Sequence, residues 1–597
     1  MDWNQELLAS LIWLAKAFVI SLVAGVAAVI WVCRATGWGR QVRRIAWPTL
    51  EPRRNGWAPL AMLALIVLLT LATVRMNVLF SFWYNGAYTA MQKLDAPQFW
   101  FMMMVFCVIA SVHVARVLVT VYVRQNFQIR WRTRLTEDLM RRWLDNQAYF
   151  RSQYLARQID NPDQRIQQDI GQFVDNTVAL SMGVLDAVVS LFTFTLLLWA
   201  LSGTLALFGY EVPRAMVFLV YIYVAVATVF AVWIGRPLIR LNFLSERFNA
   251  DFRYALIRLR EYGENIAFYR GERVEAATLA TRFANVIRNM WDVLFRTLKL
   301  QGYNLGISQI AVVFPMIIQA PRLFSKEIAL GDLMQTAQAF GQVQDSLSFF
   351  RTAYDDFAGY RAVVVRLTGF LDAIEQTAAL PGIRAGSEGA GVRVEALTLR
   401  TPEHDVLLDD LSFSLAPGSA LLIRGPSGVG KTTLLRALAG LWPFAEGHVV
   451  RPQGDAALFL SQRPYLPLGS LRNALYYPEP ASSSEQAAEV LRACQLGHLV
   501  DKLDEEADWS RILSLGEQQR LAIGRALLVR PQVIFLDESS SAMDEGLEHA
   551  MYSLLRRELP DTTFVSVGHR SSLHAFHGQA LTLLGGGRWS LEALPSA

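Results

Sequence analysis

Cysteine is scarce. The 597 residues hold three, Cys33, Cys107 and Cys494, none with a paired spacing. A disulfide framework and a cysteine-built zinc site are therefore unsupported. Charge is also scarce: 18% of residues are Asp, Glu, Lys or Arg, against 53% hydrophobic. With a mean hydropathy of +0.27, the chain is too apolar for a soluble protein of its size. It is long enough for more than one domain. No internal repeat is evident. Residues 202–213 contain no Lys or Arg, and residues 85–97 contain only Lys93. These two poor segments are informative because positive charge is concentrated elsewhere.

The apolar excess lies in long windows at 8–32, 57–82, 98–123, 174–201, 216–234, 304–321 and, less sharply, 328–350. The first four are long enough to cross a bilayer, and the next two are near the lower limit. The first is too long for a signal-peptide core and lacks a clear cleavage site, so it reads as a retained helix. Arg34, Arg40, Arg43, Arg44, Arg53 and Arg54 separate the first two windows, and nine arginines from Arg124 to Arg165 follow the third. Positive segments stay in the cytoplasm. The N-terminus is thus expected outside and the C-terminal half inside. The net charge of +4 reflects this arginine bias and calls for no nucleic acid. Residues 124–172 and 236–302 repeat apolar residues at helical spacing, so they should carry spanning helices tens of ångströms into the cytosol.

The C-terminal half carries chemistry. Residues 420–424 read as an apolar strand and 433–441 as a helix. Between them lies Gly425-Pro426-Ser427-Gly428-Val429-Gly430-Lys431-Thr432, followed by Thr433. This is a glycine-rich turn whose backbone N–H groups can wrap phosphates at a helix N-terminus. Lys431 supplies a point charge for the β/γ-phosphates, and Thr432 a hydroxyl for Mg²⁺. Leu513-Ser514-Leu515-Gly516-Glu517-Gln518-Gln519-Arg520, the strand Val533-Ile534-Phe535-Leu536-Asp537-Glu538 and His569 follow in order.

The four segments together resemble the nucleotide-binding domain of an ABC ATPase, over residues 392 to about 584. By that resemblance Asp537 holds the metal through water and Glu538 is the general base. Gln462 senses Mg²⁺ and the membrane domain, and His569 contacts the γ-phosphate. Ser514, Gly516 and Glu517 belong to the signature that meets the nucleotide of a second subunit. Ser541-Ala542-Met543-Asp544 resembles the loop linking two ATP sites. Two departures stand out. Leu515 replaces the usual signature glycine, and Thr401-Pro402 stands where an adenine-stacking aromatic is expected.

The whole resembles the exporter-type ABC fold. An α-helical membrane domain has six core transmembrane helices plus one extra N-terminal helix, and an α/β P-loop ATPase domain follows. The expected divisions are 1–45, 46–375, a linker at 376–391, and 392–597. Asp160-Asn161-Pro162-Asp163-Gln164-Arg165-Ile166, Gly235-Arg236-Pro237-Leu238 and the segment 264–271 resemble the SbmA/BacA-related transporters, akin to the peroxisomal D-subfamily. That resemblance implies coupling roles for Asp160, Asp163, Gln164 and Glu264, in helices that touch the ATPase domains. Ordinary helix capping is the alternative. One membrane domain and one ATPase domain make half a transporter, completed by a second identical subunit. The related group moves hydrophilic cargo, including peptides and cobalamin-like molecules, often inward across the inner membrane. The peroxisomal relatives suggest an acyl-CoA alternative, and regulation of a partner without transport is another.

Gln335, Gln338, Gln342 and Asp345 share one face of the last window. Polar groups facing lipid are costly, so this face lines either a wet cargo cavity or a helix contact. His113 and Arg116 share a face in the third window, and Asp186 lies within the fourth. Arg116 or Arg75 could neutralise Asp186.

Overall fold

The computed structural model describes residues 3–155, 161–207, 210–383, 386 and 391–594. The chain forms two compact units, Met1–Arg142 with Asp160–Leu371 and Trp143–Ile159 with Asp372–Ala597.

The first unit is built on long helices: α1 (Trp3–Ala35), α2 (Gly37–Leu50), α3 (Ala58–Gln92), α4 (Ala96–Leu144), α5 (Ile170–Leu201), α6 (Ala215–Glu261), α7 (Glu272–Phe324) and α8 (Leu330–Ala379). Helices α4, α6 and α7 hold 49, 47 and 53 residues. At 1.5 Å per residue each is about 70–80 Å long, more than twice a hydrocarbon core of roughly 30 Å. Each runs unbroken between an apolar stretch and a charged one. Among the described residues, six helices are long and apolar enough to cross a membrane, and they contain the first six windows to within a residue. Helix α8 contains the seventh window and is not among them. A hairpin, Thr204–Leu207 with Tyr210–Pro213, joins α5 to α6.

Local chemistry sets two of the turns. Thr36 caps α2 by accepting from Gly39 N at 3.1 Å, and a Cβ on Gly39 would lie 2.4 Å from Val32 O. Only glycine lets α2 fold back so tightly on α1. Similarly, a Cβ on Gly331 would lie 2.1 Å from Asn85 O, so α8 starts pressed against α3. A core of Val74, Val78, Phe194, Leu198, Val220, Phe340 and Val343 ties α3, α5, α6 and α8 together.

The second unit holds β1 (Val392–Arg400), β2 (Val406–Leu415), β3 (Ala420–Arg424), β4 (Ala445–Val450), β5 (Ala457–Leu460), β6 (Val533–Asp537), β7 (Thr563–Val567), β8 (Gln579–Gly585) and β9 (Arg588–Ala593). The main sheet runs β9-β8-β3-β7-β6-β5, parallel except for β9. A smaller antiparallel sheet runs β2-β1-β4. Strands β3, β6 and β7 are adjacent and almost entirely buried, as continuous apolar runs in a parallel sheet should be. Their C-terminal ends lie along one edge, where ligands of open α/β sheets bind.

Residues 143–155 belong to this second unit. Tyr154 packs edge-on against Trp442 and Phe444, with centroids 5.2 and 6.2 Å away. Arg151 Nη2 donates to Leu380 O at 3.0 Å and Pro381 O at 3.2 Å. The coupling segments expected from sequence are 160–169 and 264–271. Pro162–Asp169 and the helix Gly263–Tyr269 both belong to the first unit. Asp160 and linker residues 384, 385 and 387–390 lie outside the described residues.

Candidate nucleotide site

The glycine loop leaves β3 and enters α9 (Lys431–Leu438). Gly425 takes φ +150°, and a Cβ there would sit 2.5 Å from Leu583 O. Pro426, Ser427 and Gly428 form the exposed lip, while Val429, Gly430 and Thr433 are half-buried. Lys431 is buried, and its ammonium donates to Gly425 O at 2.9 Å and Pro426 O at 3.0 Å. The lysine thus braces the curled loop from inside, with its charge at the phosphate-binding turn.

Thr432 Oγ1 donates to Asp537 Oδ1 at 3.2 Å. Burial pushes the Asp537 carboxyl above its usual range, against the pull of that hydrogen bond. Glu538 follows at the strand end. Its Oε2 accepts from Gln462 Nε2 at 3.2 Å, and its Oε1 lies 3.3 Å from His569 Nε2. Six of the predicted residues therefore meet: Lys431, Thr432, Gln462, Asp537, Glu538 and His569. Among the described residues, no three His, Cys, Asp or Glu side chains converge as a metal cage. A hydroxyl beside one carboxylate suits Mg²⁺, which takes its remaining ligands from phosphate and water.

The signature residues form a second cluster. Ser514 caps α10 (Leu515–Val529) in a complete capping box with Glu517. Glu517 Oε2 accepts from Ser514 N at 2.9 Å and Ser514 Oγ at 2.8 Å, while Oε1 lies 3.0 Å from His498 Nε2. Burial alone would raise the Glu517 carboxyl, but these Ser514 and His498 contacts hold it below the usual range. Gly516 faces Ala542 O, 3.1 Å from where its Cβ would be. Asp544 caps the next helix by accepting from Leu547 N at 2.7 Å. No hydrogen bond or ion pair links Ser514 or Glu517 to the glycine loop among the described residues.

Gln519 was missed as a functional candidate. It is fully buried, donates to Gln462 O at 2.9 Å and Ser541 Oγ at 3.3 Å, and accepts from Ala542 N at 3.1 Å. It fastens the signature helix to both the Gln462 loop and the 541–544 loop.

The membrane candidates separate. Gln335 is buried and accepts from Asn85 Nδ2 at 2.7 Å, and the same amide reaches Asp332 Oδ1 at 2.8 Å. This is an α3–α8 contact, so Gln335 does not line a wet cavity. Gln338 Oε1 is buried without a hydrogen-bond partner, Gln342 is half-buried and Asp345 is exposed. His113 stacks edge-on to Phe80, and Arg116 bonds Thr73 within electrostatic reach of Asp186. Arg75 is otherwise engaged: it pairs with Glu6, donates to Ser10 Oγ at 2.9 Å and covers Trp13.

Known proteins bear on both halves. Residues 52–324 match the family described as ABC transporter transmembrane region 2, and residues 408–541 match the family described as ABC transporter. An "Uncharacterized ABC transporter ATP-binding protein" of Haemophilus influenzae is 49% identical over 99% of this chain and 100% of its own length. "ABC transporter D family member 2, chloroplastic" of Arabidopsis thaliana is 31% identical over 87% of this chain and 83% of its own. A solved bacterial Atm1-family ABC exporter with ATP bound has a TM-score of 0.69 at 19% identity, covering 91% of this chain and 95% of its own, which shows a shared fold. The two halves thus match the two parts of one kind of machine, and the chain belongs to the ABC transporter family, coupling ATP hydrolysis to transport across a membrane.

Proposed function

We propose that the chain is one half of a homodimeric transporter that carries hydrophilic cargo, such as peptides or cobalamin-like molecules, inward across the inner membrane. The observation that carries the ATP-driven part is the placement of Glu538 between Gln462 and His569, next to Asp537. Lys431 and the loop N–H groups hold the β- and γ-phosphates. Thr432 and Asp537 would hold Mg²⁺, and that ion would supply positive charge to the phosphate oxygens. Glu538 takes the proton from the attacking water, and Gln462 and His569 orient its two oxygens. Ser514 and Gly516 act on ATP bound by the partner subunit, so each site is composite. The arginine distribution supports an N-terminus outside and both arginine-rich segments in the cytoplasm. Residues 143–155 carry ATPase movement to α4, and Asp163, Gln164 and Glu264 contribute from the other cytoplasmic turns. Likeness of the 160–166 motif to SbmA/BacA-related transporters supports a polar cargo.

Exposed Asp345 and the unpartnered Gln338 Oε1 on α8 favour a polar path. Engagement of Gln335 with Asn85 favours the second reading, an acyl-chain cargo such as acyl-CoA, because it removes one polar group from that path. Reconstituted vesicles loaded with ATP and offered labelled peptide, cobalamin or acyl-CoA separate the two. ATP-dependent movement of peptide or cobalamin is expected. Movement of acyl-CoA alone would replace the polar reading, and ATP-independent flux would remove both.

A further inference from the structure

The first unit contains a cleft that neither ATP hydrolysis nor the cargo path uses. It is a shallow notch of about 20 Å³, open to the surface, where the end of α2, the start of α3 and the cytoplasmic part of α4 meet. Pro59, Met62 and Phe127 give it an apolar wall, and Arg130 and Arg134 line the same space. A specific bond holds it in shape. Trp131, 4% exposed, donates from Nε1 to Thr49 Oγ1 at 2.9 Å, and Thr49 is 5% exposed. That bond fixes the end of α2 to the turn of α4 that bears both arginines.

Depth and charge narrow the occupant. Pro59 and Met62 begin the apolar run of α3, and Phe127 lies just past the apolar run of α4. Trp47 and Trp57, 49% and 74% exposed, stand in sequence just before the lining residues Thr49 and Ala58, and exposed aromatic residues favour headgroup level. Helix α2 buries Ile45 and Ala46 against the protein and leaves Arg40 and Arg43 exposed, so its outer face adds positive charge. Arg130 and Arg134 stand one helical turn apart, and neither has an ion pair or side-chain hydrogen bond among the described residues. A guanidinium fork binds phosphate bidentately, so two unpaired ones on one helix face suit an anionic headgroup.

The geometry points to a binding site for an anionic phospholipid, its phosphate on Arg130 and Arg134 and its first acyl methylenes against Met62 and Phe127. In the orientation proposed above, the lipid comes from the cytoplasmic leaflet. Basic pockets between spanning helices at this level suit such headgroups.

The test uses the full-length protein in phosphatidylcholine nanodiscs carrying a trace of photoactivatable phosphatidylglycerol. Crosslinks to residues 58–62 and 127–134 are expected. They should fall on the order of tenfold or more in Arg130→Gln/Arg134→Gln, since each juxtamembrane cation contributes severalfold. The control Arg53→Gln/Arg54→Gln removes equal charge from nearby surface and should keep the crosslinks. Unlabelled phosphatidylglycerol should compete; extra phosphatidylcholine and inorganic phosphate should not. Equal labelling of the Arg130/Arg134 variant and the parent would overturn the site. So would equal loss in both double variants, or displacement by inorganic phosphate. Retained ATP binding reports folding. If the Gln pair does not fold, Arg130→Lys/Arg134→Lys keeps the charge but loses the fork, and should still label more weakly than the parent. The readout is lipid contact, so it stands whatever the cargo proves to be.

Discussion

Glu538 is under two constraints. Its backbone takes φ +48°, which costs a non-glycine residue roughly 1–2 kcal/mol. Its carboxylate is also shared between Gln462 and His569. Strain of this kind persists where surrounding structure fixes a side chain for use. An amide at this position keeps the shape but cannot take a proton from water. Purified Glu538→Gln should therefore bind ATP normally and hydrolyse it at least ~10²-fold more slowly, the lower range for a lost general base. Turnover within a few-fold of the parent would remove Glu538 from the base role. Lys431 and Thr432 were legible because the glycine loop has a fixed local geometry, and Gln462, Asp537, Glu538 and His569 through the resemblance to ABC ATPases. Gln519 was not. Its work depends on Gln462, Ser541 and Ala542, which converge only in the fold. Its adjacency to the signature was the sole signal in sequence. Arg75 was open to Asp186 on sequence alone, because nothing revealed that Glu6, Ser10 and Trp13 of α1 would reach it first.

Elements were legible where periodicity is long, and less so where short pieces dock. Apolar windows adjoining arginine-rich helical stretches foretold α4, α6 and α7. The polar face of α8 sets it apart from the six spanning candidates. Docking of residues 143–155 was invisible, because Tyr154 finds Trp442 and Phe444 nearly three hundred positions away. The buried pair between Asp169 and Arg366 was hidden for the same reason, its bonds being 2.7 and 2.8 Å long. A further element-level feature is the seam between β7 and the short helix Ser571–Phe576. His577 closes it, with Nδ1 donating to Leu573 O at 2.7 Å and Nε2 accepting from Ser566 Oγ at 2.8 Å. Burial is the main cause that brings the His577 imidazole down to about 4 from 6.5; nearby Arg556 and His574 add to it, against the Leu573 bond. The unfolded chain takes up a proton near pH 6.5 that the folded domain refuses until about pH 4. The stabilisation is thus complete above 6.5 and drains as pH falls, at up to about 1.4 kcal/mol per pH unit. The melting-temperature advantage of the parent over His577→Asn should shrink between pH 7 and pH 5. A gap independent of pH would mean that the imidazole is not held neutral by the fold.

At the scale of the whole molecule, the two-part plan followed from composition: an apolar arginine-bounded half, then a half with phosphate chemistry. By its resemblance to ABC ATPases, the sequence implies that the ATP site is completed by the signature of a second subunit. In the structure, Lys431, Thr432, Asp537 and Glu538 form one cluster, and Ser514 with Glu517 forms another around its own helix N-terminus. That N-terminus is suited to an anion, since its leading N–H groups and dipole favour negative charge. The glycine loop of a second copy supplies the anion if it brings its nucleotide there. The arrangement has a stoichiometric consequence. A dimer with Ser514→Arg in both chains has two spoiled sites, and so has one with Lys431→Ala in both. A mixed dimer of one Ser514→Arg chain and one Lys431→Ala chain puts both lesions into the same composite site and leaves the other whole. Tandem purification with two tags isolates it. Its ATPase rate should stand well above that of either pure mutant, approaching half the parental rate if the two sites turn over independently. An inactive mixed dimer that still binds one nucleotide would mean that both sites must be intact to fire. If it binds no nucleotide tightly at either site, Ser514 does not act across the dimer, and each chain would have to complete its ATP site alone.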